Sequence, residues 1–311
     1  MRNPGPWMLG AALLAVAAAL SLGGGQEIKF PTRGAMVRTD RPDTTKLLQH
    51  YNKMVAGNLD QPQNLPSTVI DSVMAGLDGL GVGERIGRWA EFLHERGGNA
   101  YVFGLDSAGY VSRGLLVDDV STDCVLFFYR TSELGRSGSA VEAVQFAFGT
   151  RFYGAPIAEV VSPEGLLDYD HEAHLDYTVD MIRSGIWGQD VSDSVGTTVA
   201  DGVGTSRFPP DSVRYVPKDR IDYGKIKTGD GIHCVLDEAT EKGRKIRESG
   251  ALIGHIGVAV RNGDEVWYIH PASSDLPGEY EGGRVVKVRL KTYLDRMENF
   301  KGVMVTRVQL F

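Results

Sequence analysis

Apolar positions recur at helical spacing in the first part of the chain and crowd into Val- and Ile-rich runs in the last part. Ile86, Trp89, Ala90 and Leu93 share one face of a helix. Residues 43–51 and 68–77 read as short helices before it, and 140–148 and 175–186 as helices after it. Residues 232–236, 253–260, 266–269, 284–290 and 303–311 predict strands. Helices followed by a mostly antiparallel sheet define an α+β fold. Between these halves, 187–217 is rich in Gly, Ser, Thr, Asp and Pro and predicts a long irregular excursion. The run 79–83 (GLGVG) lacks a preceding strand, so it reads as a turn or helix boundary and not as a nucleotide loop.

The first residues change the picture. Residues 7–22 are an almost unbroken apolar run, followed by Gly23, Gly24 and Gly25. With Arg2 ahead of it, this pattern predicts an export signal over 1–25. The run is shorter than the roughly 20 apolar residues of a membrane span, and no basic stop follows it. The mature chain is expected to be exported, periplasmic or extracellular, with no integral span after leader removal. A formal charge of −7 over 311 residues, with no dense basic run, argues against a nucleic-acid partner. The basic residues at 242–247 (KGRKIR) read as a solvated face.

Two cysteines in an exported chain raise a disulfide, yet their surroundings differ. Ser121-Thr122-Asp123 before an apolar run is an N-cap signal, which puts Cys124 in the first turn of a helix. A helix N-terminus favours thiolate over thiol, and its N–H groups suit a developing oxyanion. Cys234 instead shares a strand face with Ile232 and is expected to pack in the core.

A cysteine nucleophile needs a base and a group that orients the base. Of seven histidines, His50 and His94 fall on polar helices, and His171 and His174 in an acidic stretch. His233, His255 and His270 fall on the expected sheet. Asn262-Gly263 between two apolar runs predicts a two-residue type I′ hairpin. Arg261 then faces Asp264, and counting back, His255 faces His270 with Cβ atoms about 4.5–5.5 Å apart. Gly257 and Ala259 on the same face leave room above the sheet.

Asp123-Cys124-Val125 opening a helix, Thr228-Gly229-Asp230 before a strand, Gly254-His255-Ile256-Gly257 and Tyr268-Ile269-His270-Pro271-Ala272-Ser273 together carry a resemblance. The set is similar to the NlpC-type papain-like cell-wall peptidases, and more closely to the exported bacterial N-acetylmuramoyl-L-alanine amidase-like family. The resemblance covers 86–130 and 225–275. It implies a papain-like core with the nucleophile helix packed on the sheet, Cys124 as nucleophile, His255 as base and His270 as its orienting partner. It further implies that Tyr101 helps shape the oxyanion site and that Asp123 binds a substrate amine. The implied substrate is the peptide part of peptidoglycan, a stem peptide or related peptide amide, cleaved with no metal or organic cofactor. Val125-Leu126 departs from the family's usual Ser-Gly, and the stretch between Cys124 and His255 is longer than in compact members. The expected organisation is a leader at 1–25, an N-terminal helical extension at 26–85, and a papain-like domain at 86–311 with an insertion at about 136–220.

Three other readings compete. A zinc-dependent cell-wall amidase would draw on Asp168, Asp170, His171, Glu172 and His174, though no third ligand is recognisable. An acyltransferase or deamidase would use the same acyl-enzyme. A non-catalytic binding module would keep the fold without the chemistry.

Overall fold

The computed structural model describes residues 44–59, 61–104, 110–152, 155–175, 182–202 and 213–308. The expected leader lies outside the described residues, as does half of the helix expected at 175–186 (176–181). Helices longer than one turn and all strands are numbered in chain order. The first part of the chain holds α1 (Thr44–Leu59), α2 (Ser67–Gly76), α3 (Val82–Arg96), β1 (Ala100–Tyr101), β2 (Ser121–Thr122), α4 (Cys124–Arg136) and α5 (Ala140–Arg151). Then come β3 (Gln189–Asp190), β4 (Val199–Ala200), β5 (Arg214–Pro217), β6 (Gly231–Leu236), α6 (Glu241–Arg247), β7 (Ile253–Asn262) and β8 (Glu265–Ala272). The last elements are β9 (Arg284–Arg289), α7 (Leu290–Arg296) and β10 (Phe300–Arg307).

The fold is α+β. The strands form one open sheet in the order β2-β1-β9-β8-β7-β6-β10-β5-β4, with β3 also on β10. Every pairing is antiparallel except β1 with β2. Alternation along β7 splits the sheet into two apolar faces. Ile256, Val258 and Val260 share a core with Trp89 and Leu93 of α3 and Phe127 of α4, which continues to Phe148 of α5. Cys234, Ala259 and Tyr268 meet the other layer, built on Leu290, Tyr293 and Leu294 of α7.

The N-terminal helices share the first of these cores. Tyr51 and Met54 of α1 are buried with Phe127 and Ile256, and the Tyr51 ring meets Phe148 edge-on at 5.7 Å. A boundary at 85/86 would cut α3. The 79–83 run is the entry to that helix, with Gly81 as its N-cap. Gly83 lies so close to the 228–230 turn that a Cβ on Gly229 would come 2.3 Å from its carbonyl oxygen. Gly229 also has φ +83°, a conformation in which side chains are strained.

Two parts of the expected layout change. The 187–217 excursion contributes the short strands β3, β4 and β5, which extend the sheet beyond β10, while 203–212 lies outside the described residues. The basic face at 242–247 is helix α6, capped by the Thr240 side chain on the Gly243 N–H.

Buried charge locks α4 and α5 together. Arg151 Nη2 reaches both carboxylate oxygens of Glu133 at 2.9 and 3.2 Å, each side chain 1% exposed. Arg130 grips Asp119 through Nε and Nη2 at 2.7 and 3.0 Å. Asp119 also accepts from the Leu65 N–H at 2.8 Å, so this pair fastens the turn before β2 to the entry of α2.

Candidate active site

Helix α4 starts at Cys124 because Asp123 caps it. Asp123 is extended, and its Oδ1 accepts from the N–H groups of Val125 and Leu126, each at 2.9 Å. A cap of this kind is worth about 1 kcal/mol. Its Oδ2 accepts from the Gly104 N–H at 3.0 Å, which ties the segment after β1 to the helix start. Burial raises the Asp123 carboxyl pKa, against the pull of the Leu126, Gly104 and Val125 N–H groups. The carboxylate expected to meet a substrate amine is thus engaged with three backbone donors and buried.

Cys124 is a half-buried free thiol. Burial pushes its pKa up to about 12, and the Asp123 charge adds to the rise. The N–H groups of Ile256, Cys124 and Val125 pull the other way without winning. Burial of the sulfur thus opposes the thiolate that the helix N-terminus favours. Desolvation outweighs a partial charge at the end of one helix.

The two histidines come from neighbouring strands. In β6–β7 the pairing steps from Cys234↔His255 to Val235↔Ile253, a bulge that leaves Gly254 unpaired. A Cβ on Gly254 would lie 2.4 Å from the Leu236 side chain, so the bulge needs glycine. In β7–β8 the pairs are Asn262↔Glu265 through Val258↔Ile269. The turn is Gly263-Asp264 and not Asn262-Gly263, so every partner moves by two residues. Gly263 has φ +61° and no non-glycine residue described has positive φ, which fits a type II′ turn and not type I′. A two-residue slip preserves the face. His255 and His270 stay on one side as diagonal neighbours, with His255 Nε2 2.7 Å from His270 Nδ1 and the rings edge-to-face at 4.7 Å.

Gly257 makes this approach possible. A Cβ there would come 2.6 Å from Tyr268 Cε2 and 2.7 Å from His270 Cβ. Tyr268 stacks on His270 at 4.5 Å, and Tyr293 of α7 closes on both histidine rings at 4.8 and 6.0 Å. Burial lowers the His255 pKa to about 4, with the Lys242 charge adding. Burial and then His255 hold His270 well below the usual imidazole range. Both rings are neutral at pH 7.

Cys124 is close enough to Tyr101, Tyr268 and Tyr293 for its charge to bear on their hydroxyls. The N–H of Ile256, the residue next to His255, is near enough to pull the thiol pKa down. Among the described residues no hydrogen bond joins Cys124 to His255 itself. Tyr101 is held on β1, where its N–H donates to the Gly283 carbonyl at 2.9 Å. Burial, with the Cys124 and Asp123 charges, pushes its hydroxyl up to about 12.

The remaining expectations resolve as follows. Cys234 is also a free thiol, buried directly across from His255 with Sγ 3.9 Å from the Tyr268 hydroxyl, and no disulfide joins the two cysteines. Among the described residues no three His, Cys, Asp or Glu side chains converge on a metal position. His174 is buried against Phe152 and Tyr169, and His171 faces Glu159 at 3.5 Å. The zinc alternative therefore finds no donor set among the described residues. Sequence reasoning missed Tyr268 and Tyr293. Period-two alternation places Tyr268 with His270, so that residue was within reach, whereas Tyr293 lies on a helix not foreseen.

The fold recurs in solved structures. A protein from Legionella pneumophila, of the family DUF1460, superposes with a TM-score of 0.57 at 15% identity, over 78% of this chain and 94% of that one. An N-acetylmuramoyl-L-alanine amidase from Bacteroides uniformis does so with a TM-score of 0.51 at 17% identity, over 72% and 99%. At these identities the likeness is one of fold. No protein-family model matches the chain, and no curated protein does.

Proposed function

We propose that this protein is an exported cysteine hydrolase of papain-like type that cleaves an amide bond in the peptide part of peptidoglycan. The observation that carries the reading is the His255–His270 contact at 2.7 Å beside a thiol at a capped helix start. The fold it shares with an amidase of known structure supports the substrate class. Among the described residues no helix is long and apolar enough to cross a membrane.

In this reading His255 Nε2–H donates to His270 Nδ1, which leaves His255 Nδ1 bare to act as base. Both partners start neutral, so proton and nucleophile move together. His255 Nδ1 takes the thiol proton as Sγ bonds to the substrate carbonyl carbon. The Ile256 N–H, which favours the charged sulfur, would stabilise its negative charge during transfer. The Cys124 N–H and the Tyr101 hydroxyl would receive the oxyanion. The C–N bond then breaks and the amine leaves with the proton from His255. Water attacks the thioester, His255 takes its proton and returns it to sulfur, and the acid departs. Substrate-free sites often lack the full nucleophile–base hydrogen bond and tighten on binding.

The test is paired cysteine replacement. Cys124→Ala should abolish release of new termini from purified peptidoglycan while the circular dichroism spectrum is kept. Cys234→Ala should retain turnover and lower Tm. Equal loss from both, with normal folding, refutes the assignment.

A further inference from the structure

His270 Nδ1 has two neighbours, and the proton it shares with them can be placed in two ways. His255 Nε2 stands 2.7 Å from it and the Pro271 carbonyl oxygen 3.3 Å. A proton on His270 Nδ1 would be donated to that carbonyl or to His255 Nε2. In the latter case the His255 proton sits on its own Nδ1, and His255 is no base toward a thiol. A proton on His270 Nε2 leaves Nδ1 bare to accept from His255. The proposed reaction needs this second tautomer, so a group on the Nε2 side must favour it.

Among the described residues no oxygen or nitrogen bonds to His270 Nε2, although the residue is 1% exposed. Its surroundings are aromatic. Tyr268 lies 4.5 Å away and only 25° from the His270 plane, so it covers a ring face and not the ring's edge. Tyr293 is tilted at 58°. Tyr280 stands 5.6 Å away at 78°, the arrangement in which the edge of one ring meets the face of another. A ring face is electron-rich, which attracts an N–H and repels a nitrogen lone pair.

The chain fixes Tyr280 in place. It lies on the loop between β8 and β9, where it exchanges two backbone hydrogen bonds with Leu276, at 3.0 and 3.1 Å. Leu276 is buried in the core built on α7, and Arg296 of α7 donates to the Pro277 carbonyl at 2.7 Å. The same loop ends at Gly283, whose carbonyl accepts from the Tyr101 N–H.

We propose that Tyr280 is a positioning residue whose ring accepts the His270 Nε2–H. That contact holds His270 Nδ1 bare, keeps the His255 proton on Nε2, and leaves His255 Nδ1 free to act as base. Tyr280 touches no reacting atom and acts through the two imidazoles. Its kinetic consequence rests on the Cys124–His255 reading, whereas the tautomer does not.

Heteronuclear NMR of the full chain, with isotope-labelled histidine and no substrate, reads the tautomer directly. At pH 7 His270 should carry its proton on Nε2. That proton should be shifted upfield and show a nuclear Overhauser contact with the Tyr280 ring. Tyr280→Phe keeps the ring and should keep both the tautomer and kcat. Tyr280→Leu should move the proton toward Nδ1 and lower kcat about tenfold at unchanged KM, the effect of leaving a buried N–H without an acceptor. The assignment is overturned by a proton on Nδ1 in the unsubstituted chain, or by no contact with the Tyr280 ring. It is equally overturned if the Phe and Leu variants give the same spectrum, or if the tautomer changes and kcat does not. The unsubstituted spectrum decides the matter even where Tyr280→Leu does not fold. Because the spectra are taken at rest, their failure leaves the Cys124 assignment to its own experiment.

Discussion

His255 and His270 touch although neither stands directly across the sheet from the other: Nε2 and Nδ1 are 2.7 Å apart along a diagonal. The diagonal is open only because Gly257 has no side chain. Gly257→Ala would put a methyl 2.6 Å from Tyr268 and 2.7 Å from His270. Overpacking of this kind costs about 1–3 kcal/mol. The expected outcome is a lowered Tm together with a loss of turnover larger than the stability change explains. Calorimetry and kinetics on the same preparation check it.

His270 acts through His255 in the proposed mechanism. His270→Gln should keep more activity than His270→Ala, since an amide oxygen can still accept from His255 Nε2–H. Both should change kcat more than KM. A KM-only effect in steady-state assays would place His270 in binding instead.

Acid should destabilise the fold through its buried imidazoles. Burial lowers His233 to about 3 and His255 to about 4, against about 6.5 when unfolded. Above pH 6.5 both states are neutral and the full stability is present. Below it the unfolded chain binds protons that the native state refuses, so stability falls by up to about 1.4 kcal/mol per pH unit per group until the folded pKa is reached. Urea unfolding between pH 7 and 4 should show this slope, and replacing His233 with Phe should reduce it.

The neutral thiol has its own signature. With Cys124 near 12 and His255 near 4, the substrate-free enzyme should react slowly with iodoacetamide at pH 7, and faster toward alkaline pH. Turnover should lack a limb near pH 6.5, because His255 is already deprotonated there. Rapid labelling at pH 7 would show that the resting sulfur is a thiolate after all.

Arg151→Met should cost about 3–5 kcal/mol, since it strands the Glu133 carboxylate in the core. Arg151→Met with Glu133→Leu should recover much of that loss. Denaturant midpoints of the two variants decide it.

The strand content and the meeting of His255 with His270 were legible because Val- and Ile-rich runs and a glycine turn are local signals. The turn itself was misread. Asn262-Gly263 satisfies the type I′ preference, but Gly263 takes the first central position of the turn with Asp264 after it. The histidine contact survived because a two-residue slip keeps parity. Strands β3, β4 and β5 carry no pattern of their own, being two to four residues long and defined by their partners. The sulfur's protonation was illegible for a related reason. A helix start can be read from Asp123 and Cys124, whereas the tyrosines and strand that desolvate the thiol come from the far end of the chain.

Strand β10 lies inside the sheet, between β6 and β5, although it comes last in chain order among the described strands. On a ribosome, helix α4 and both histidines are made before the strand that joins the two flanks of their platform. Until β10 arrives, β6 has a bare edge and the β5–β4 pair has no strand joining it to the rest of the sheet. Synthesis thus delays maturity: a nascent or C-terminally shortened chain holds Cys124, His255 and His270 yet lacks the strand that completes the sheet beside them.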